Sequence, residues 1–215
     1  MTRKGNAATF GVVVAACCLA GCSPGNVTVS PAFSPPEKIQ VAVLDFDWEM
    51  PSGQLQGHSM VSSPNAGKYM ADAISTHLVS IPGFEVVERS RLNKLLHEKD
   101  LQQSDLIKKG EYEEVGRFLG VRFLVLGTVN TYTTWAHGTW HGHTVSFSCR
   151  CVDVESGRTV WTLSGYREKG PLGPTDPAIS VRELLQESMP ELARKIEQAR
   201  AKQPGTQGET GNRAR

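Results

Sequence analysis

The run IQVAVLDF, Ile39 to Phe46, is apolar on both faces of a period-two pattern. A strand of that kind needs cover on both sides, which a central strand in a sheet flanked by helices obtains. This one run therefore points to an α/β fold. Ser63-Pro64 then offers an N-cap and a first-turn proline, and Ala66, Met70, Ala73, Ile74 and Leu78 recur at helical spacing. Phe84, Val86 and Val87 make a second strand. Ser90 opens a helix that turns Leu92, Leu95 and Leu96 inward. Tyr112, Val115 and Leu119 mark another helix, with Gly120 where a left-handed C-cap fits. Val121 to Tyr132 is the third strand, with Gly127 as a bulge or close-approach point.

The pattern then changes. In HTVSFSCRCVDV, Val145, Phe147, Cys149 and Cys151 share one face, and Thr144, Ser146, Ser148 and Arg150 share the other, as in a strand with one wet side. Glu155-Ser156-Gly157-Arg158 is a tight-turn composition, and TVWTLSGY returns as the hairpin partner. A final helix from Pro177 carries Val181, Leu184, Leu185, Leu192 and Ile196, and Pro190 is expected to kink or restart it. The order β, α, β, α, α, β, β, β, α gives a single α/β domain, a mixed β-sheet flanked by helices, over residues 38–202.

The N-terminus belongs to something else. Arg3 and Lys4 precede an apolar run from Ala7 to Ala20, too short for a membrane helix of ~20 residues and right for a signal-peptide core of ~7 to 15. Leu19-Ala20-Gly21-Cys22 resembles a bacterial lipobox. That resemblance implies cleavage between Gly21 and Cys22 and lipidation of Cys22, so that residues 1–21 are a lipoprotein signal peptide. Ser23 in place of an aspartate implies sorting to the outer membrane. Removing 21 of the 215 residues leaves 194; it takes two of the 23 basic residues and none of the 22 acidic ones, so the mature chain carries a net charge of about minus one. Wrapping a phosphate backbone needs a basic surplus, and nucleic acid is excluded as a partner. Residues 22–37, with Pro24, Pro31, Pro35 and Pro36, have the composition of an extended tether reaching ~45 Å from the lipidated Cys22. Residues 203–215 have that of a disordered tail.

VAVLDFD, GFEVVERSRLNKLLHEKDLQ, GRFLGVRFLVLGTVNTY and VDVESGRTVW resemble, in sequence and order, the CsgG/HfaB family of curli and holdfast secretion lipoproteins. The likeness runs from about Val41 to Tyr166. It implies a CsgG-like periplasmic domain on the inner side of the outer membrane, and a non-enzymatic role in curli-like secretion or envelope assembly through protein binding. The LpoB-like activators of a peptidoglycan synthase are similar in fold and give an alternative function. The family's channel closes a barrel from two hairpins per subunit, each needing ~20 residues and a turn. Here eleven residues separate Tyr132 from Thr144 and eleven separate Tyr166 from Ala178, the latter with three prolines. Neither insertion spans, so no pore of its own is expected. Without a barrel to lock a ring, a monomer or weak homo-oligomer is expected.

Chemistry-bearing residues are sparse. His137, His141 and His143, with Cys149 and Cys151, are the candidates for a metal site and for a third reading as a metal-binding periplasmic protein. No paired C-x-x-C is present, and the cysteines fall on the apolar face as small buried hydrophobes, so no cofactor is expected. A Cys149–Cys151 disulfide would stretch across the ~7 Å limit for Cα separation. Asp45 and Asp47 suit backbone contacts at a strand end better than acid-base work, and Glu88 with Arg89 suits packing. No nucleophile elbow, P-loop or dinucleotide glycine pattern occurs. Trp135 and Trp140, in a loop from Trp135 to His143, are the candidate partner-binding residues, because exposed tryptophan is enriched at interface hot spots.

Overall fold

The structure is a computed structural model that describes residues 25–48, 59–88, 94, 112–170, 173 and 175–203. Its strands are β1 (Asn26–Val29), β2 (Ile39–Val43), β3 (Asp47–Trp48), β4 (Ser59–Ser62), β5 (Phe84–Val86), β6 (Phe123–His137), β7 (Trp140–Asp153) and β8 (Thr159–Lys169). Its helices are α1 (Ala66–Val79), α2 (Tyr112–Leu119) and α3 (Pro177–Ala201). The helix expected from Ser90 through Leu96, and Arg89 with it, lies outside the described residues.

The eight strands form one mixed sheet in the order β1-β8-β7-β6-β2-β5. β2 runs parallel to both β5 and β6, whereas β6, β7, β8 and β1 pair antiparallel. β6 is the spine: β2, β3 and β4 lie end to end along one edge of it, and β7 fills the other. The doubly apolar IQVAVLDF run is thus explained. Val41 and Val43 face the larger core with α1 and α3, and Ala42 and Leu44 face a second core with Val115 and Leu119 of α2. Met70, Ile74 and Leu78 of α1 and Val181, Leu184, Leu185, Leu192 and Ile196 of α3 are all buried, as their spacing requires.

Local chemistry sets the ends. Asp176 caps α3 by accepting from the Ala178 amide at 2.9 Å, with Pro177 in the first turn. α1 starts at Ala66 with Asn65 as its N-cap and no side-chain capping bond, slightly later than Ser63-Pro64 suggests. Gly120 has φ 66°, the left-handed stop expected after Leu119.

Two expectations are corrected. Pro190 does not restart α3, which runs unbroken from Pro177 to Ala201; Pro190 sits on its exposed side, where the lost amide donor faces water. Residues 26–29 are not tether but the edge strand β1, with Asn26 opposite Ser164 and Val29 opposite Trp161. Phe33 is buried, its ring edge-on to Phe123 at 5.8 Å, and Arg200 and Gln203 donate to the carbonyls of Pro35, Pro36 and Glu37. Pro31, Pro35 and Pro36 instead belong to a strap bound to the domain, and residues 22–24 lie outside the described residues. The bulge in β6 falls at Val129/Thr131, and Gly127 is the close-approach point: a Cβ there would meet the Phe46 ring at 2.2 Å.

Candidate functional site at the hairpin end of the sheet

The stretch from Trp135 to His143 is not a loop. β6 and β7 stay paired to the His137–Trp140 rung, closed by a two-residue turn in which Gly138 takes φ 61°. Cross-strand partners share a face and neighbours alternate. Trp135, His137, Trp140 and Gly142 therefore lie on one face, and Ala136, His141, Thr134 and His143 on the other. The three histidines do not converge.

His143 belongs to the helix-covered side. It is fully buried and shares a 2.7 Å hydrogen bond between Nε2 and Ser180 Oγ of α3. His137 and His141 are exposed. Among the described residues no group of three or more histidine, cysteine or carboxylate side chains is placed to hold a metal. Cys149 and Cys151 are free, buried thiols; burial pushes Cys149 up to about 12 and Cys151 well above its ordinary value. They stay protonated and pack as apolar groups.

Next to His143, Arg167 is buried on β8 and faces α3. Its Nη1 donates to Glu183 Oε2 at 2.9 Å and its Nη2 to Glu187 Oε2 at 2.7 Å. Lys169 Nζ lies 3.0 Å from the same Glu183 oxygen. The hydrogen bond from Lys169 holds the Glu183 carboxyl below its ordinary range, with Arg167 adding to the effect and burial opposing it. This cluster joins residues that are distant in sequence. A signal was present, since Glu183 and Glu187 are one turn apart on the same helix.

Among the described residues, nothing beyond α2 covers the opposite face of β6, β7 and β8. A cavity of about 330 Å³ there is lined by Asp45, Asp47, Thr128, Ser148, Arg150 and Thr162, among others. The structure thus brings Asp45 and Asp47 together, but among the described residues no histidine lines the cavity, and the one thiol there, Cys149, is held protonated. Farther along this face stand three aromatic side chains, Tyr166 at the level of Ser146 and Trp135 and Trp140 at the tip. Trp140 is 61% exposed and Tyr166 55% exposed, while Trp135 is half-buried across Gly142. Trp140 does not fold back onto the Val145 and Phe147 core, which lies on the other side of the sheet.

An open mixed sheet with, among the described residues, two helices on one face, one on the other and a short hairpin at its end is an α/β domain of the CsgG type. The model of the family described as "Curli production assembly/transport component CsgG" matches residues 26–160. The chain belongs to this envelope-associated family. Among solved structures it is similar to a PelC dodecamer from Paraburkholderia phytofirmans, at 15% identity over 79% of this chain and 99% of that one, with a TM-score of 0.52. It is similar to lipoprotein GNA1162 from Neisseria meningitidis at 18% identity over 74% and 99%, TM-score 0.51. For the LpoB C-terminal domain from Escherichia coli the figures are 13%, 61% and 83%, with a TM-score of 0.41. At these identities the likeness is one of fold. No curated protein matches the chain by sequence. No helix among the described residues is long and apolar enough to cross a membrane.

Proposed function

We propose that the protein is an outer-membrane lipoprotein, anchored through Cys22 on the periplasmic face, that serves curli-like secretion or envelope assembly by binding other proteins and catalyses no reaction. Family membership over residues 26–160 carries this reading, and the lipobox at Leu19 to Cys22 supplies the anchor. A pore of its own is not part of it. The hairpin runs only from His143 to its turn beyond the last rung with β8, His143–Lys169, short of the ~9 to 11 residues each barrel strand needs. The PelC relatives are dodecamers, and side-by-side association of this chain, weak without a barrel, fits the same scheme.

The alternative, an LpoB-like activator that reaches toward a peptidoglycan synthase, depended on a long tether. Gly25 is seated against Ser188 of α3 and Asn26 is already in the sheet, which leaves Cys22 to Gly25, a span of at most ~11 Å. Gene deletion in the parent bacterium separates the readings. Loss of an exported surface polymer, read by dye binding, with unchanged peptidoglycan cross-linking supports secretion or assembly. Intact export with altered cross-linking would replace it with the activator role.

A further inference from the structure

β1 runs antiparallel to β8, with Asn26 opposite Ser164, so the N-terminal end of β1 points along the rest of β8 toward Lys169. Lys169 in turn pairs with His143, at the base of the hairpin tip. The end of the domain at which the chain arrives from Cys22 is therefore the end that carries Trp135, His137, Trp140 and His141. By register, a fully extended Cys22 would lie level with Glu168 and hence with Thr144. Trp140 stands four residues farther out along β7, ~13 Å at the rise of a strand. Full extension is the farthest Cys22 can stand from Gly25, so the tip lies within reach of the lipid surface, and a tilt of the strands toward the bilayer plane brings Trp140 and Cys22 to one depth.

From this geometry we infer that the β6–β7 hairpin tip is a membrane-interface anchor, with the Trp140 indole, beside Trp135 on the same face, seated among the headgroups of the bilayer that holds the Cys22 acyl chains. The inference rests on lipidation of Cys22. Three observations favour lipid over the protein partner suggested by the sequence. Among the described residues, the exposed large apolar side chains are Val79, Trp140 and Tyr166; the last two share one face of the sheet, Trp140 at the tip and Tyr166 farther down at the level of Ser146. Both are amphipathic, with an apolar ring and a polar N–H or O–H, and such side chains concentrate at membrane–water boundaries. The turn itself, Gly138-Thr139, is short and uncharged, so it can enter a headgroup layer of a few ångströms without burying a charge. The flank of β1, the other surface within reach of Cys22, is lined by Lys195, Gln198 and Lys202 and presents no exposed aromatic ring.

The test uses the full-length, processed protein in vesicles of phosphatidylethanolamine and phosphatidylglycerol, with plain or dibrominated acyl chains. Bromine quenches indoles at the lipid boundary. Of the four tryptophans, Trp161 is buried and Trp48 and Trp135 are partly buried, so Trp140 should account for most of the quenching. Trp140→Phe, which keeps an aromatic ring and the fold, should lose most of it. A polarity-sensitive probe on Thr139→Cys, selective because Cys149 and Cys151 are buried, should shift to the blue in vesicles. If mass spectrometry shows the diacylglycerol on Cys22 while brominated and plain vesicles give equal emission and the probe stays in water, the anchor is overturned and the tip is left to a protein partner. An unmodified Cys22 would overturn the lipoprotein reading and this inference together.

Discussion

The indole of Trp135 lies across Gly142, its partner on the neighbouring strand: a Cβ at Gly142 would come 2.4 Å from the ring and 2.3 Å from the Lys169 carbonyl oxygen. One glycine thus lets an aromatic ring close over the backbone at the base of the tip and lets β8 approach from the other side. The ring is held in place beneath Trp140 and is not a mobile loop side chain.

Gly142→Ala should therefore destabilise the domain by about 1 to 3 kcal/mol, because one of the clashing atoms is backbone and cannot swing away. Displacement of Trp135 should also red-shift the tryptophan emission. Gly138→Ala meets no atom within 4 Å but keeps a positive φ; it should cost about 1 kcal/mol from backbone strain and leave the emission unchanged. Chemical denaturation and fluorescence of both variants check this.

Much of the core was legible because its periods are local. Met70, Ile74 and Leu78, and Val145, Phe147 and Cys149, show in sequence the faces they bury in the fold. The tip was not legible. Glycine, threonine and histidine between Trp135 and His143 read as a loop, and only pairing with β7 and β4 makes that stretch a strand. β1 has a single neighbour and four residues among prolines, so its existence is a tertiary fact. The Arg167 cluster joins β8 to α3 and is carried by no single periodic segment.

Phe33 distinguishes a strap from a spacer. It is 8% exposed and packs edge-on against Phe123, and removing a buried phenylalanine typically costs about 3 to 5 kcal/mol. Phe33→Ala should lower the denaturation midpoint by a corresponding amount, whereas a tether residue would leave it unchanged.

Cys22→Ala should leave an unprocessed precursor, since the thiol is the group that receives lipid before cleavage at Gly21. Membrane fractionation and the mass of the N-terminal peptide read this. A variant still cleaved and recovered in the detergent phase would defeat the lipoprotein reading.

Sedimentation of the mature domain at micromolar concentration should show a monomer or a weakly associating species, because the described hairpin adds no barrel to hold neighbours together. A stable ring, as in the PelC dodecamers, would show that the sheet-and-helix surfaces suffice.

The sharpest asymmetry lies in the ion cluster. The Arg167 side chain is 5% exposed, whereas those of Glu183 and Glu187 are 34% and 43% exposed. Removing the arginine leaves two part-exposed carboxylates that can rehydrate, Glu183 still paired with Lys169, so Arg167→Met should cost about 1 to 2 kcal/mol. Removing the carboxylates leaves a buried guanidinium without its counter-charges, so the Glu183→Gln, Glu187→Gln double variant should cost more, about 3 to 5 kcal/mol. The pH dependence has a definite sign. Glu183 is held below its ordinary value of 4.5 in the fold, so unfolding raises its affinity for the proton. Its contribution is complete above about pH 4.5 and is lost as the pH falls through the lower folded value. Denaturation at pH 7 and pH 4 should show the wild type losing stability on acidification and the double variant losing less. An arginine variant more damaged than the double glutamine variant would mean that packing of the Arg167 stem, and not its charge, holds α3 against β8.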